Sequence, residues 1–467
     1  MRMRMPSILP FRRYRNVARL APITIATMLA AAASVETRAE AEDWPQWRGP
    51  AGTGVSTEQS LPERWSDTEN VAWKAKLRGV GVSSPVVSGD KVFITSQIGA
   101  GVRREGNHPT LVQGGNASAQ GERGLAQAAG AAPGDGRIRF LVEAFARTDG
   151  RSLWAFELPA SDARPAVHDK HNLASASPVT DGTRVYAVFG TGQMVAVDMK
   201  GARVWQRDLA AEYGAWQINW GHGSSPIVYR DTVILPCFHE PTSYLIALDA
   251  KTGATRWKAD RGSKIVSYST PLVVSAPTGD ELVLNTSEAL EAYDPATGKE
   301  LWRLTEPSRF AIPMPVHHDG VLYASRGYRS GPYAAIKVGG RGDIASSHVL
   351  WKIPTGAPYI SSLVYHDGLL YMAADVGVVT CVEAKTGERV WQERMEGVFT
   401  ASPVAADGKI YLVSESGETI VLRPGRKADV IARNTLNGRL LASPAISRGR
   451  LFLRTDDALI AIGSSRP

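Results

Sequence analysis

The sequence predicts an all-β chain wound into an eight-bladed β-propeller of four-stranded blades, and three observations carry that prediction. The first is a phrase that returns eight times: small residues, usually a Pro, an apolar run, a short polar turn and a second apolar run, as in SSPVVSGDKVFITS from Ser83 and ASPVAADGKIYLVS from Ala401. Its anchors are Pro85, Pro178, Pro226, Pro271, Pro315, Leu363, Pro403 and Pro444, spaced by 93, 48, 45, 44, 48, 40 and 41 residues. A period of about 40–50 residues holds four strands and is the spacing of propeller blades. The second is a turn in the later half of the repeat, where alternating segments such as LIALD ending at Asp249 run into a Gly with a Trp four residues on: Gly150/Trp154, Gly201/Trp205, Gly253/Trp257, Gly298/Trp302 and Gly387/Trp391. Period-2 alternation makes strands, the Gly supplies positive φ in a tight turn, and the Trp is expected to fill space between neighbouring blades. The third is an unpaired segment with the outer-strand pattern, residues 70–77, lying before the first repeat, while the eighth repeat stops after three strands at Ile462. Pairing the two closes the ring and hides a sheet edge.

Taken in order along the chain, residues 1–41 read as a secretory signal peptide. Six Arg fall between Arg2 and Arg19, an Ala-rich apolar stretch runs from Leu20 to Ser34, too short for a membrane span, and Ala39-Glu40-Ala41 fits a cleavage site. Its seven Arg and two Glu account for most of the basic balance, so the net charge falls from +7 to +2 without it, and nucleic acid is not an expected partner. No Cys sits near the cleavage site, so no lipid anchor is expected and the protein should be periplasmic or secreted, as a monomer. An N-terminal extension, 42–69, leads to the propeller at 70–463, and 464–467 form a tail. Between the second and third strands of blade one lies an insertion, 98–138, rich in Gly, Ala, Gln and Asn and without apolar periodicity, expected to be mobile. Cys237 and Cys381 fall in different repeats and are expected to be buried thiols. Blade seven lacks the Trp and carries Pro424-Gly425 instead, and Ala146 replaces the turn Asp of blade one.

The motif AxDxxTGxxxW, complete in Ala247–Trp257, resembles the PQQ-like propeller repeat of quinoprotein dehydrogenases and of the propeller lipoprotein of the outer-membrane β-barrel assembly machinery. The tracts DWPQWRGP from Asp43, HNLASASPV from His171, INWGHGSSP from Ile218, RGYRSGPY from Arg326 and CVEAKTGERVWQ from Cys381 are similar to a bacterial secreted subfamily. The resemblance implies the fold more firmly than an activity. A quinoprotein dehydrogenase would need an aromatic floor for PQQ, cations for its carboxylates, a Ca²⁺ held by hard oxygens and a carboxylate base. Trp220, Arg326, Arg329, Glu240, Glu288, Asn172 and Asp375 can be cast in those roles by their position alone. The adjacent cysteine pair usual in quinoprotein alcohol dehydrogenases is missing, as are CxxCH, GxSxG, HExxH and a phosphate loop.

Propeller topology places the loops entering each first strand, and those joining second to third strands, on one face around the central channel. Candidate binding residues on that face are His171, Asn172, Trp220, His222, His239, Glu240, Tyr268, Glu288, Arg326, Arg329, Tyr359 and Asp375. Polar and aromatic groups converging from many blades suit a concave site for a small molecule or an envelope protein. Arg326 and Arg329 offer forked donors to an anion, or pair with Glu240 or Glu288. The opposite face carries His317, His318 and His366 in ordinary HDG-type turns, and Arg341-Gly342-Asp343 is expected to be a plain exposed loop. A ligand- or protein-binding module is the leading expectation, a PQQ-dependent oxidoreductase the alternative, and a carbohydrate-directed protein a third.

Overall fold

The structure, a computed structural model, describes residues 43–464 except 100–136 and positions 163, 164, 166, 169 and 219. The expected signal peptide, most of the insertion and the end of the tail lie outside the described residues. Eight sheets follow one another around a ring, each with four antiparallel strands from channel to rim and one of them with a short fifth strand. Blade 1 is Val86–Ser88, Lys91–Ile98, Arg139–Ala146 and Ser152–Pro159; blades 2 to 7 occupy residues 179–208, 227–260, 272–305, 316–353, 364–394 and 404–435. Blade 8 combines Ala445–Ser447, Arg450–Arg454 and Ala458–Ile462 with the N-terminal strand Val71–Lys76, which pairs antiparallel with Ala458–Ile462. Closure by the unpaired N-terminal segment is therefore as the sequence predicts.

Apolar cores lie between blades rather than at a common centre, because every sheet buries both faces against a neighbour. Tyr186, Val188 and Met194 of blade 2 pack with Val233, Cys237 and Tyr244 of blade 3, for example. Both cysteines are buried and unpaired. The repeat Trp residues fasten one blade to the next. Trp73 lies over Gly150, Trp154 over Gly201, Trp205 over Gly253, Trp257 over Gly298 and Trp351 over Gly387. Each indole N–H donates to a carbonyl of the same turn, as Trp205 does to Ala250 O at 3.0 Å and Trp73 to Arg147 O at 2.9 Å. A flat ring can lie this close only on a residue with no Cβ, and the turn also holds Gly253 at φ 73°. The motif is thus an interblade clasp, and Trp73 applies it across the closure joint.

A second fastening runs around the channel. The backbone N–H at the residue before each anchor donates to the hydroxyl at the equivalent position of the next blade: Ser84 to Ser177, Ser177 to Ser225, Ser225 to Thr270, Ser362 to Ser402 and Ser402 to Ser443, at 2.9–3.0 Å. The relay is interrupted where Met314 replaces the hydroxyl. There Arg326, at the end of a second strand of blade 5, donates to Asn285 Oδ1 and to Thr286 O (2.7 Å) of blade 4. At the closure joint Arg454 of blade 8 similarly donates to Ser83 O (3.2 Å) and Thr95 O (2.8 Å) of blade 1. Burial lowers both guanidinium pKa values to about 10, so they remain cations stitched to carbonyl oxygens.

The extension passes across the base of the ring, on the face of the first-to-second strand turns. Trp44 exchanges backbone hydrogen bonds with Val87 (blade 1), Pro45 O accepts from Thr180 N (blade 2), and Arg48 donates to Leu363 O (blade 6). Ser56 N then reaches Ala405 O (blade 7), Glu58 accepts from Arg448 and Gly449 (blade 8), and Trp65 N donates to Asn434 Oδ1 (blade 7). The expected plain loop at Arg341-Gly342-Asp343 is corrected: Gly342–Asp343 adds a short parallel strand to the rim of blade 4, and Arg341 pairs with the buried Glu281 at 3.2 Å.

Candidate functional site

The channel holds a cavity of about 320 Å³ that is floored by Trp47 of the extension. Its walls at depth are the relay hydroxyls, among them Ser84, Ser177, Thr270 and Ser402, and above them the entering loops of several blades supply the mouth. One side of that mouth is a run of aromatic rings. His168 meets Trp220 edge-on at 5.3 Å, Trp220 meets Phe310 at 6.0 Å, and Phe310 meets Tyr268 at 6.2 Å and Tyr328 at 4.9 Å; Tyr359 follows at 5.5 Å from Tyr328. These rings come from blades 2 to 6. The facing side, from blades 7 and 8, is small and aliphatic: Thr400, Ser402, Leu441, Ala442 and Ser443.

Of the twelve candidates, His171, Trp220, Tyr268, Arg329 and Tyr359 line the cavity. His171 lies against Gly221 and Gly223, with a methyl on Gly223 falling 3.0 Å from its Nε2. Its pKa is lowered from 6.5 to about 3, chiefly by desolvation and then by His168 and His222, so it is neutral. Burial raises the Tyr268 phenol, keeping it protonated. Arg329 is exposed on the tight loop Arg326–Pro332 and lies over the Tyr328 ring, 5.2 Å from its centroid. It and Ser330 both take positive φ, 54° and 60°. Two such non-Gly residues in succession store strain, on the order of 1–3 kcal/mol each, of the kind that accumulates where a side chain must be presented.

The other seven are placed elsewhere. Asn172 turns inward along the chain, its Oδ1 accepting from Ala174 N at 2.9 Å, which makes it a strand-entry residue. Arg326 is in the wall between blades 4 and 5 as described above, its donors turned to Asn285 and Thr286 rather than to Glu240 or Glu288. Glu240 and Glu288 are exposed and stand outside the cavity lining. Asp375 is half-buried behind the rim, its pKa raised by desolvation. His222 and His239 sit behind the mouth as a buried pair, Nδ1 to Nε2 at 3.1 Å, with Trp216 packed on both rings at 4.7 and 4.3 Å. Asp169 and Asn219 of the entering loops lie outside the described residues.

Sequence reasoning missed the floor, Trp47, and a tie across the mouth. Lys170 of the blade 2 entering loop pairs with Glu415 of blade 7 at 2.7 Å, and Thr400 donates to the same carboxylate. The pair spans 245 residues of sequence, so no local signal marks it. Phe310 had a signal, being an aromatic in the entering loop of blade 5, the same loop class that supplies Trp220 and Tyr268.

The histidine cluster sets a pH dependence. Desolvation lowers His222 from 6.5 to about 4 and His239 well below the ordinary imidazole value. Between those values and about 6.5 the unfolded chain binds protons that the folded chain does not, so stability is full above about 6.5 and falls as pH drops. Urea unfolding at pH 7 and pH 5 should give a lower midpoint at pH 5. The double variant His222→Gln/His239→Gln should show a smaller difference between the two; an unchanged difference would assign the effect elsewhere.

Ring, repeat and cavity together define an eight-bladed PQQ-like β-propeller. The chain belongs to the family described as outer membrane protein assembly factor BamB, whose sequence pattern matches residues 139–338, 337–427 and 376–464. It is 23% identical to the outer membrane protein assembly factor BamB of Moranella endobia over 333 residues, 67% of this chain and 78% of that one. It is 24% identical to the tetrathionate hydrolase of Acidithiobacillus ferrooxidans over 291 residues, 58% of this chain and 53% of that protein, and so spans about half its length. The quinohemoprotein alcohol dehydrogenase of Comamonas testosteroni shares the fold with a TM-score of 0.62 at 11% identity, covering 90% of this chain and 80% of that one.

The residues present do not fit PQQ with Ca²⁺. Calcium takes about six to eight oxygen ligands, several of them carboxylate, and among the described residues no Asp or Glu lines the cavity. Of the two lining cations at the mouth, Lys170 is already paired with Glu415, leaving Arg329 for a cofactor with several carboxylates.

Proposed function

We propose that the protein is an exported propeller of the cell envelope that binds a small ligand in its central cavity. The observation that carries this reading is the cavity's form: closed below by Trp47, lined by aromatic rings from five blades, and of a volume that suits a compact molecule. The signal-peptide pattern of residues 1–41 supports export. An envelope protein seated on the mouth is the second reading, favoured by the relatives that carry the name of an assembly factor. Oxidoreductase action stands behind both, for lack of a carboxylate among the described lining residues.

Trp220→Ala and Arg329→Ala are each expected to weaken binding by roughly 1–3 kcal/mol while leaving the fold intact, since both line the cavity and Trp and Arg are the residue types that most often carry the energy of a binding site. A thermal-shift screen of small organic molecules, repeated on both variants and on His317→Ala from the opposite face, tests this. Hits that survive Trp220→Ala but fail with His317→Ala would move the site to the other end of the channel. Incubation with PQQ and Ca²⁺, followed by absorbance and dye reduction, checks the third reading.

A further inference from the structure

We propose that the cavity selects singly charged organic anions with an apolar, ring- or chain-shaped body, such as an aryl or medium-chain monocarboxylate. The inference rests on the cavity being the binding site. Three features of the lining lead to it. First, the body of the cavity is apolar: the aromatic run through Trp220, Phe310 and Tyr328 faces Leu441 and Ala442. Second, among the described residues no Asp, Glu, Asn or Gln lines it, and the relay hydroxyls Ser177, Ser225 and Thr270 at depth each accept a backbone N–H, which leaves them one O–H donor and one lone pair apiece and no forked partner to offer. A sugar, which needs many directional polar partners, is poorly served there.

Third, among the described lining residues the Lys, Arg, Asp and Glu side chains are two cations, Lys170 and Arg329, of which one is paired. Lys170 is neutralised by Glu415 at 2.7 Å, both side chains being mostly buried. Arg329 has no carboxylate within 4.0 Å among the described residues, and its strained loop holds it over Tyr328 at the rim of the same cavity. A guanidinium stacked on an aromatic ring keeps its N–H fork free for a carboxylate. One fork above an apolar box calls for one anionic head on an apolar body. A second carboxylate would have to lie among aromatic and aliphatic walls without a counter-charge, which desolvation opposes.

Calorimetric titration of the full mature protein with 2-naphthoate, its neutral amide 2-naphthamide and naphthalene-2,6-dicarboxylate tests the inference, with octanoate as the chain-shaped anion. The wild type should prefer 2-naphthoate over the amide by about 10-fold or more, the scale of a charge-assisted hydrogen bond, and should also prefer it over the dicarboxylate. Arg329→Gln should remove the preference over the amide, and Arg329→Lys should keep part of it. Equal binding of acid and amide, a preference that survives Arg329→Gln, tighter binding of the dicarboxylate, or no binding by any of the four would overturn the inference. The underlying site reading is tested separately: if Trp220→Ala weakens the acid and amide alike, the cavity is the site even where the charge preference fails. If both are untouched by Trp220→Ala, the site reading itself is lost.

Discussion

Excision of residues 43–76 is expected to abolish cooperative folding and drive the protein to aggregate. The segment performs two tasks that no other part of the chain can take over. Its last six residues, Val71–Lys76, complete blade 8, and without them Ala458–Ile462 becomes an unpaired edge of buried apolar residues. An edge of that kind recruits strands from other molecules. The preceding residues cross the base of the ring and bond to blades 1, 2, 6, 7 and 8, while Trp44 and Trp65 are buried in the cluster that joins blades 7, 8 and 1. Size-exclusion chromatography and thermal melting of the deletion protein give the readout. A monomer melting with the parent's midpoint would contradict the closure assignment. Ala75→Pro is the finer probe, since Ala75 stands opposite Leu459, two residues from the Leu77 N–H to Asp457 O bond and so at a hydrogen-bonded position, and losing that ladder donor should lower the midpoint without removing the floor of the cavity.

The ring was legible in the sequence because its determinants are local and repeated. Alternation, the turn Gly and the Trp four residues later recur often enough that a missing Trp in blade 7 or an Ala146 in a turn does not obscure the period. Even the closing strand announced itself, as an outer-strand pattern with no blade of its own. The site was legible only to the level of a face. Which loops share that face follows from topology, but whether a side chain turns into the channel depends on partners that the sequence does not pair. Asn172 is drawn back by Ala174 N, Arg326 by Asn285 and Thr286, and His222 by His239. Trp47 was hidden for a different reason. The extension has neither helical nor strand periodicity, and its course across the base is set by single hydrogen bonds to distant blades.

The interblade clasp yields the other large effect. Trp205 is buried, its N–H donating to Ala250 O, and its removal should cost on the order of 3–5 kcal/mol, as for other large buried aromatics cut to Ala. Gly253→Ala should also destabilise, for two separable reasons. The residue sits at φ 73°, which an L side chain adopts with strain, and the added methyl would lie 2.8 Å from Trp205 Cδ2. Only the second reason vanishes when the indole is absent. The double variant Trp205→Ala/Gly253→Ala should therefore lose less stability than the two single losses added together, by about 1 kcal/mol or more. Urea unfolding of the four proteins completes the cycle, and the same comparison for Trp257 with Gly298 should repeat it one blade further round. Strict additivity in both pairs would mean that the turn Gly answers only to backbone conformation, and the contact between ring and turn would then not be what holds neighbouring blades together.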